Sequence, residues 1–82
     1  MELKDFRKTL KTLGGYTVKT KTISFQDLAR ANARFADVYT PDGDLLMGVA
    51  SAEFREKHKA AINFVASASP VHDKGVKVIL PK

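Results

Sequence analysis

The first 23 residues change from a helical to a strand pattern at a pair of glycines, and this change constrains the fold more than any other feature. Over residues 2–13 the large apolar side chains recur at helical spacing, at Leu3, Phe6, Leu10 and Leu13. This spacing predicts an amphipathic helix. Gly14-Gly15 follows directly, where helices commonly end in the left-handed conformation. Residues 16–23 are β-branched or aromatic at six of eight positions, which predicts a strand.

Two further elements are predicted between this strand and residue 50. Ser24-Phe25-Gln26-Asp27 is typical of a helix N-cap with an acidic residue in the first turn, which predicts a short helix there. Residues 35–40 and 45–49 are short apolar runs on either side of Pro41-Asp42-Gly43-Asp44. Proline sets φ for the first turn position and glycine accepts positive φ, so a hairpin is favoured over a continuous helix from 25 to 39.

The rest of the chain predicts a long helix and a final strand. Ser51 is expected to cap a helix from Ala52 to about Ala68, which Pro70 ends. Residues 71–75 are expected to form a loop before the strand Val76–Leu80. Because this strand is apolar on both faces apart from one lysine, it is expected either in the centre of the sheet or paired with another chain.

Together these elements predict one α+β domain over residues 1–82. The expected order is α-β-(short α)-β-β-α-β, with a mostly antiparallel sheet and the helices packed on one face. A chain of this length can bury a core without disulfides, and it contains no cysteine. The candidate core residues are Leu3, Phe6, Leu10, Leu13, Val18, Phe25, Leu28, Phe35, Val38, Leu46, Val49, Phe54, Ile62, Val65, Val78 and Leu80.

Few residues suit catalysis or the binding of a cofactor. His58 is expected at the boundary of its helix's apolar stripe, and His72 is expected in a loop. The spacing of these two histidines and Asp73 matches no ligand set of a zinc or iron site. Gly14-Gly15 follows a helix, whereas a phosphate-binding glycine loop precedes one. We therefore expect a protein that is not an enzyme and needs no cofactor. Since no segment approaches the roughly 20 apolar residues of a membrane span, we also expect no membrane association and a cytoplasmic location.

Positive charge is concentrated near the start of the chain. Residues 1–22 have a net charge of +4, residues 23–50 of −2 and residues 51–82 of +3, which gives +5 overall. The cations of the first helix share a stripe without an acid among them, and two lysines of the next strand project from one face. The candidate phosphate contacts are Lys4, Arg7, Lys8, Lys11, Lys19 and Lys21. Tyr16, Phe35 and Tyr39 are candidates for stacking on bases, although a core position is expected for each.

Three hypotheses of function remain open at this stage. The leading hypothesis is a small basic protein that binds DNA or RNA through the six cations. In its size and in its lack of an active site, the chain is also similar to small phage-encoded proteins that bind and inhibit larger host complexes. Because the chain is basic, the partner of such an inhibitor is expected to present an acidic or nucleic-acid-mimicking protein surface. The third hypothesis is a homodimer formed through an exposed strand edge.

Overall fold

The structure is a computed structural model that describes residues 1–24 and 32–81. These residues form the helices and strands α1 (Leu3–Gly14), β1 (Thr17–Ser24), β2 (Asn32–Tyr39), α2 (Ala52–Lys57), α3 (Lys59–Ser67), β3 (Val71–Asp73) and β4 (Val76–Ile79). The four strands make one sheet in the order β1-β2-β4-β3. β1 pairs with β2 and β3 with β4 in antiparallel fashion, whereas β2 and β4 are parallel. The predicted α+β class and mostly antiparallel sheet are confirmed, and the sheet is mixed.

The first helix ends at the predicted pair of glycines. Gly15 has φ 75° and ψ 25°, the left-handed conformation that glycine adopts without a steric penalty. Its N–H donates to the Lys11 carbonyl at 2.8 Å, and the Tyr16 N–H donates to the Leu10 carbonyl at 3.4 Å. The cap thus satisfies two carbonyls of the last turn and directs the chain into β1.

The buried apolar side chains form one cluster between the sheet and the helices α1 and α3. Its members are Leu3, Phe6, Leu10, Val18, Ala36, Val38, Leu46, Ala61, Val65, Val71 and Val78. Phe6 has no exposed surface, and its ring stacks on that of Phe64 with the centroids 5.4 Å apart. The strand residues of the cluster project from one face of the sheet. Both helices therefore pack on that face, as predicted, and we call it the inner face.

The first strand and the turn of the predicted hairpin are confirmed. Residues 35–39 lie within β2, so the alternative of a continuous helix from 25 to 39 is wrong for the part that the structure describes. In the turn, the Thr40 N–H donates to the Asp44 carbonyl at 2.8 Å, and Gly43 has φ 89°. Glycine thus accepts positive φ at the predicted position.

The predicted second strand of this hairpin, residues 45–49, is wrong. Leu45 forms an isolated bridge with Tyr39, and the Leu46 N–H donates to the Val38 carbonyl at 2.8 Å, but no strand continues from there. The reason is that β4 already pairs with the first half of β2 along the same edge. Only a short length of that edge is left for this segment.

The predicted helix from 52 to 68 is divided at His58. The Ser51 side chain accepts a hydrogen bond from the Phe54 N–H at 3.2 Å, which confirms the predicted N-cap. His58 departs from helical values, with φ −109° and ψ 20°, although its N–H still donates to the Phe54 carbonyl at 3.0 Å. Its side chain is only 8% exposed and bonds to Tyr16, so the expected boundary position is wrong. The hydrogen bond to Tyr16 is a physical reason for the break in the helix at His58.

The segment 71–75, predicted to be a loop, is a strand and a tight turn. Val71–Asp73 pairs with β4, and Lys74 and Gly75 connect the two strands with φ of 52° and 83°. Positive φ at both central residues is typical of a type I′ turn, whose twist matches that of the flanking strands. β4 therefore lies between two strands, which is the first of the two arrangements expected for it.

Half of the predicted core residues are buried. Those confirmed are Leu3, Phe6, Leu10, Val18, Val38, Leu46, Val65 and Val78. Partly buried are Phe35, Phe54, Ile62 and Leu80. Leu13, in the last turn of α1, is 44% exposed and Val49 is fully exposed, so these two predictions are wrong. The predicted helix at 24–29, with Phe25 and Leu28, lies outside the described residues apart from Ser24, which ends β1.

Candidate nucleic-acid interface

The four predicted cations of α1 lie on the flank of the helix beside β1. The Arg7 guanidinium donates a hydrogen bond to the Val18 carbonyl, so this flank faces the outer edge of the strand. Lys4 and Lys11 lie one turn before and one turn after Arg7, and Lys8 lies one turn after Lys4. All four side chains are exposed. Arg7 has a structural role as well, but a guanidinium carries five donors and keeps others free for a ligand.

The two predicted cations of β1 lie on the other side of the sheet from the helices. Val18 is buried against the helices, and side chains alternate along a strand. Lys19 and Lys21 therefore project together from the opposite face, which agrees with their predicted common side. The Lys19 ammonium lies 4.9 Å from the centroid of the Tyr39 ring on the neighbouring strand.

The six cations thus lie on both sides of one strand edge rather than on one flat surface. We call this group the basic edge: Lys4, Arg7, Lys8 and Lys11 of α1 with Lys19 and Lys21 of β1. None of the six forms an ion pair with a carboxylate of residues 1–24 or 32–81. The single ion pair within these residues joins Arg34 to Asp73 at 3.2 Å. A phosphate can therefore approach these cations without first displacing a carboxylate of the described chain.

Among residues 1–24 and 32–81 no strand pairs with the outer edge of β1, whereas the edge of β3 is covered. In an antiparallel pair, alternate residues point both backbone groups away from the partner strand. Since the Val18 carbonyl points outward to Arg7, the backbone groups of Thr20 also face outward. At the other edge of the sheet, the His72 N–H donates to the Met1 carbonyl at 2.9 Å. The homodimer hypothesis would accordingly use β1, and this stays a prediction.

Phe35 and Tyr39, two of the predicted stacking candidates, lie with further aliphatic side chains on the same side of the sheet as Lys19 and Lys21, a grouping that the sequence did not predict. We call this side the outer face. Its described side chains are those of Glu2, Thr17, Lys19, Lys21, Phe35, Asp37, Tyr39, Leu45, His72, Lys77 and Ile79. The alternation of β2 was not a usable signal, because this strand carries apolar residues on both faces. Tyr16, the third stacking candidate, is instead bonded to His58.

The described residues offer little for catalysis or metal binding. The hydroxyl of Tyr16 and Nδ1 of His58 share a hydrogen bond of 2.6 Å, but the imidazole is buried and has no nucleophile beside it. Within residues 1–24 and 32–81, no group of three His, Asp or Glu side chains is placed to hold a metal ion. In the same part of the chain, no helix is long and apolar enough to cross a membrane.

Comparison of the chain with protein-family models, with curated proteins and with solved structures finds no match in any of the three. We therefore infer function from the geometry and charge of the basic edge and the outer face.

Proposed function

We propose that the protein is a non-enzymatic nucleic-acid-binding protein that contacts phosphates through the basic edge. The observation that carries the proposal is the Arg7 hydrogen bond to Val18, because it brings the cationic stripe of α1 beside the strand that bears Lys19 and Lys21. Six cations around one strand edge can engage several phosphates of a single backbone. Contacts of this kind release counterions, so the affinity falls steeply as salt rises.

The like charges of the α1 stripe lower the stability of the helix itself, which supports a ligand-binding role. Lys4 and Lys8 are an i,i+4 pair of like charge, as are Arg7 and Lys11. Each such pair destabilises an isolated helix by about 0.2–0.5 kcal/mol. A bound phosphate backbone would relieve this repulsion.

The test is a charge reversal in the stripe, with a matched reversal elsewhere. In fluorescence anisotropy with labelled DNA and RNA at about 50 mM salt, Lys8→Glu/Lys11→Glu is expected to lower the affinity at least tenfold. The control Lys57→Glu/Lys59→Glu makes the same change in net charge at exposed lysines of α2 and α3. Equal losses in the two variants would mean that only total charge matters, and the assignment of the basic edge would be wrong.

A second candidate function is the inhibition of a larger host protein complex, of the kind that small phage proteins perform. The observation in its favour is the loop between β2 and α2, where Val49 is fully exposed and Leu45 is 43% exposed. Contiguous exposed apolar surface is typical of protein-binding sites, and Leu45 and Val49 line the same shallow pocket. Under this candidate, DNA and RNA bind only feebly at low salt, whereas Val49→Asp weakens the binding of the protein partner.

A further inference from the structure

The outer face is built from cross-strand neighbours around two aromatic rings of β2. Phe35 pairs with Lys21 on one side and with Ile79 on the other. Tyr39, four residues further along the same strand, pairs with Leu45. At about 3.3 Å per residue, the two rings lie about 13 Å apart along the strand. Ile79 and Leu45 are 40% and 43% exposed, so a ligand can reach the apolar surface beside each ring.

The rings are outside the core that stabilises the domain. Phe6, Leu10 and the other fully buried side chains lie on the inner face, and α1 and α3 cover that face. Phe35 and Tyr39 are only partly buried. Two partly exposed aromatic residues on a central strand of a four-stranded sheet therefore offer some ring surface to a ligand.

The charge of the outer face fits an anionic ligand. Lys19, Lys21 and Lys77 project from it and are exposed, against two acids of the described residues, Asp37 and, at its bridge to His72, Glu2. Lys19 already lies over the Tyr39 ring at 4.9 Å, which indicates that this ring surface can be approached from solvent. A lysine side chain is long and flexible, so its ammonium can leave the ring for a nearby phosphate while a base takes its place.

We propose that the outer face binds single-stranded nucleic acid, with unpaired bases stacked on Phe35 and Tyr39 and phosphates held by Lys19, Lys21 and Lys77. This inference rests on the proposed function and specifies its ligand. Bases within a duplex are stacked on each other and do not present their faces to a sheet, whereas unpaired bases do. Lys19 and Lys21 belong to the basic edge as well. The bound nucleic-acid strand can therefore continue from the outer face towards α1.

The test compares probes that share phosphates but differ in their bases. The probes are a labelled ten-nucleotide DNA strand, an abasic strand of the same length and a ten-base-pair duplex, at about 50 mM salt. We expect the base-bearing strand to bind at least tenfold more tightly than the abasic strand and more tightly than the duplex. Phe35→Leu and Tyr39→Leu should each reduce this binding about fivefold or more, and Tyr39→Phe, which keeps the ring, should retain it.

A second measurement uses the unaltered protein, in case a Leu variant fails to fold. The chain has two tyrosines and no tryptophan, so its intrinsic fluorescence reports on Tyr16 and Tyr39. Stacking of a base on Tyr39 is expected to quench part of this emission. The quenching should be lost in Tyr39→Phe although the strand still binds.

Three results would overturn the inference. The first is equal affinity of the protein for the abasic and base-bearing strands. If both affinities still fall as salt rises, the basic edge remains supported and only the stacking is refuted. The second is preference for the duplex. The third is displacement of the strand by a ten-residue polyglutamate at equal concentration, since this would identify an acidic polypeptide as the natural occupant. Absence of binding to all three nucleic acids would refute the proposed function itself.

Discussion

The hydrogen bond between Tyr16 and His58 joins two distant parts of the chain, and its removal should measurably destabilise the fold. The tyrosine hydroxyl and Nδ1 of the imidazole are 2.6 Å apart. The two rings also meet edge to face, with centroids 5.5 Å apart, and Phe54 lies 4.6 Å from the imidazole on another side. Tyr16→Phe deletes the hydroxyl and keeps the ring, so the change isolates the hydrogen bond.

The size of the effect follows from burial. His58 is 8% exposed, so its Nδ1 cannot readily exchange the lost partner for water. An unsatisfied buried polar group costs about 1–3 kcal/mol, and Tyr16 is itself partly exposed, which favours the lower half of this range. For a domain of this size, 1 kcal/mol corresponds to a change in Tm of about 4–8 °C. We therefore expect Tyr16→Phe to lower Tm by roughly 4–16 °C.

The assay is thermal unfolding followed by circular dichroism, with Tyr39→Phe as the matched control. The Tyr39 hydroxyl makes no hydrogen bond with the described residues, so its removal should change stability by less than about 0.5 kcal/mol. If Tyr16→Phe melts within 2 °C of the unaltered protein, the hydrogen bond does not stabilise the fold. The hydrogen bond would then not explain the break in the helix at His58 either.

Three further changes test other parts of the structure by urea or thermal unfolding. Phe6→Ala should destabilise by about 3–5 kcal/mol because the ring is fully buried, and a loss below 1 kcal/mol would contradict the assigned core. Gly15→Ala should lower the free energy of unfolding by about 1–2 kcal/mol, because alanine is strained at the positive φ of this residue. The added Cβ would lie 3.5 Å from Pro41, an ordinary contact, so φ is the only cause. An unchanged Tm would refute the left-handed cap. Arg34→Gln should lower the free energy of unfolding by less than about 1 kcal/mol, because the ion pair of Arg34 with Asp73 is partly exposed. A larger loss of stability would show that Arg34 has a role beyond that ion pair.

The elements predicted correctly are those whose signals are local in sequence. The stripe of α1, the left-handed Gly15 and the Ser51 cap each depend on residues within one or two helical turns. The strand Val71–Asp73 has no such signal. It is three residues long and two of them are polar, and it is a strand because it pairs with β4 and is covered by Met1. Pairing of this kind is non-local, so the pattern of residues 71–75 could not predict it.

The candidate site was predictable to a similar extent. Alternation along β1 was enough to place Lys19 and Lys21 on one face. The position of α1 beside β1 follows from the packing of its apolar stripe in the core, with the Arg7 hydrogen bond as one contact, and the exposure of Phe35 and Tyr39 depends on which face of β2 the helices cover. Both are properties of tertiary packing. The core position expected for these two rings therefore had to be revised.

The salt dependence of binding tests the central claim, that the basic edge holds a phosphate backbone, most directly. We would measure the affinity of the unaltered protein for a single-stranded ten-nucleotide probe between about 50 and 200 mM salt. For single strands, the slope of log K against log salt is about −0.7 per phosphate contact. Three to six contacts predict a slope between about −2 and −4, a loss of roughly 20-fold to 300-fold over this range. A slope shallower than −1, or no binding at 50 mM, would contradict the claim.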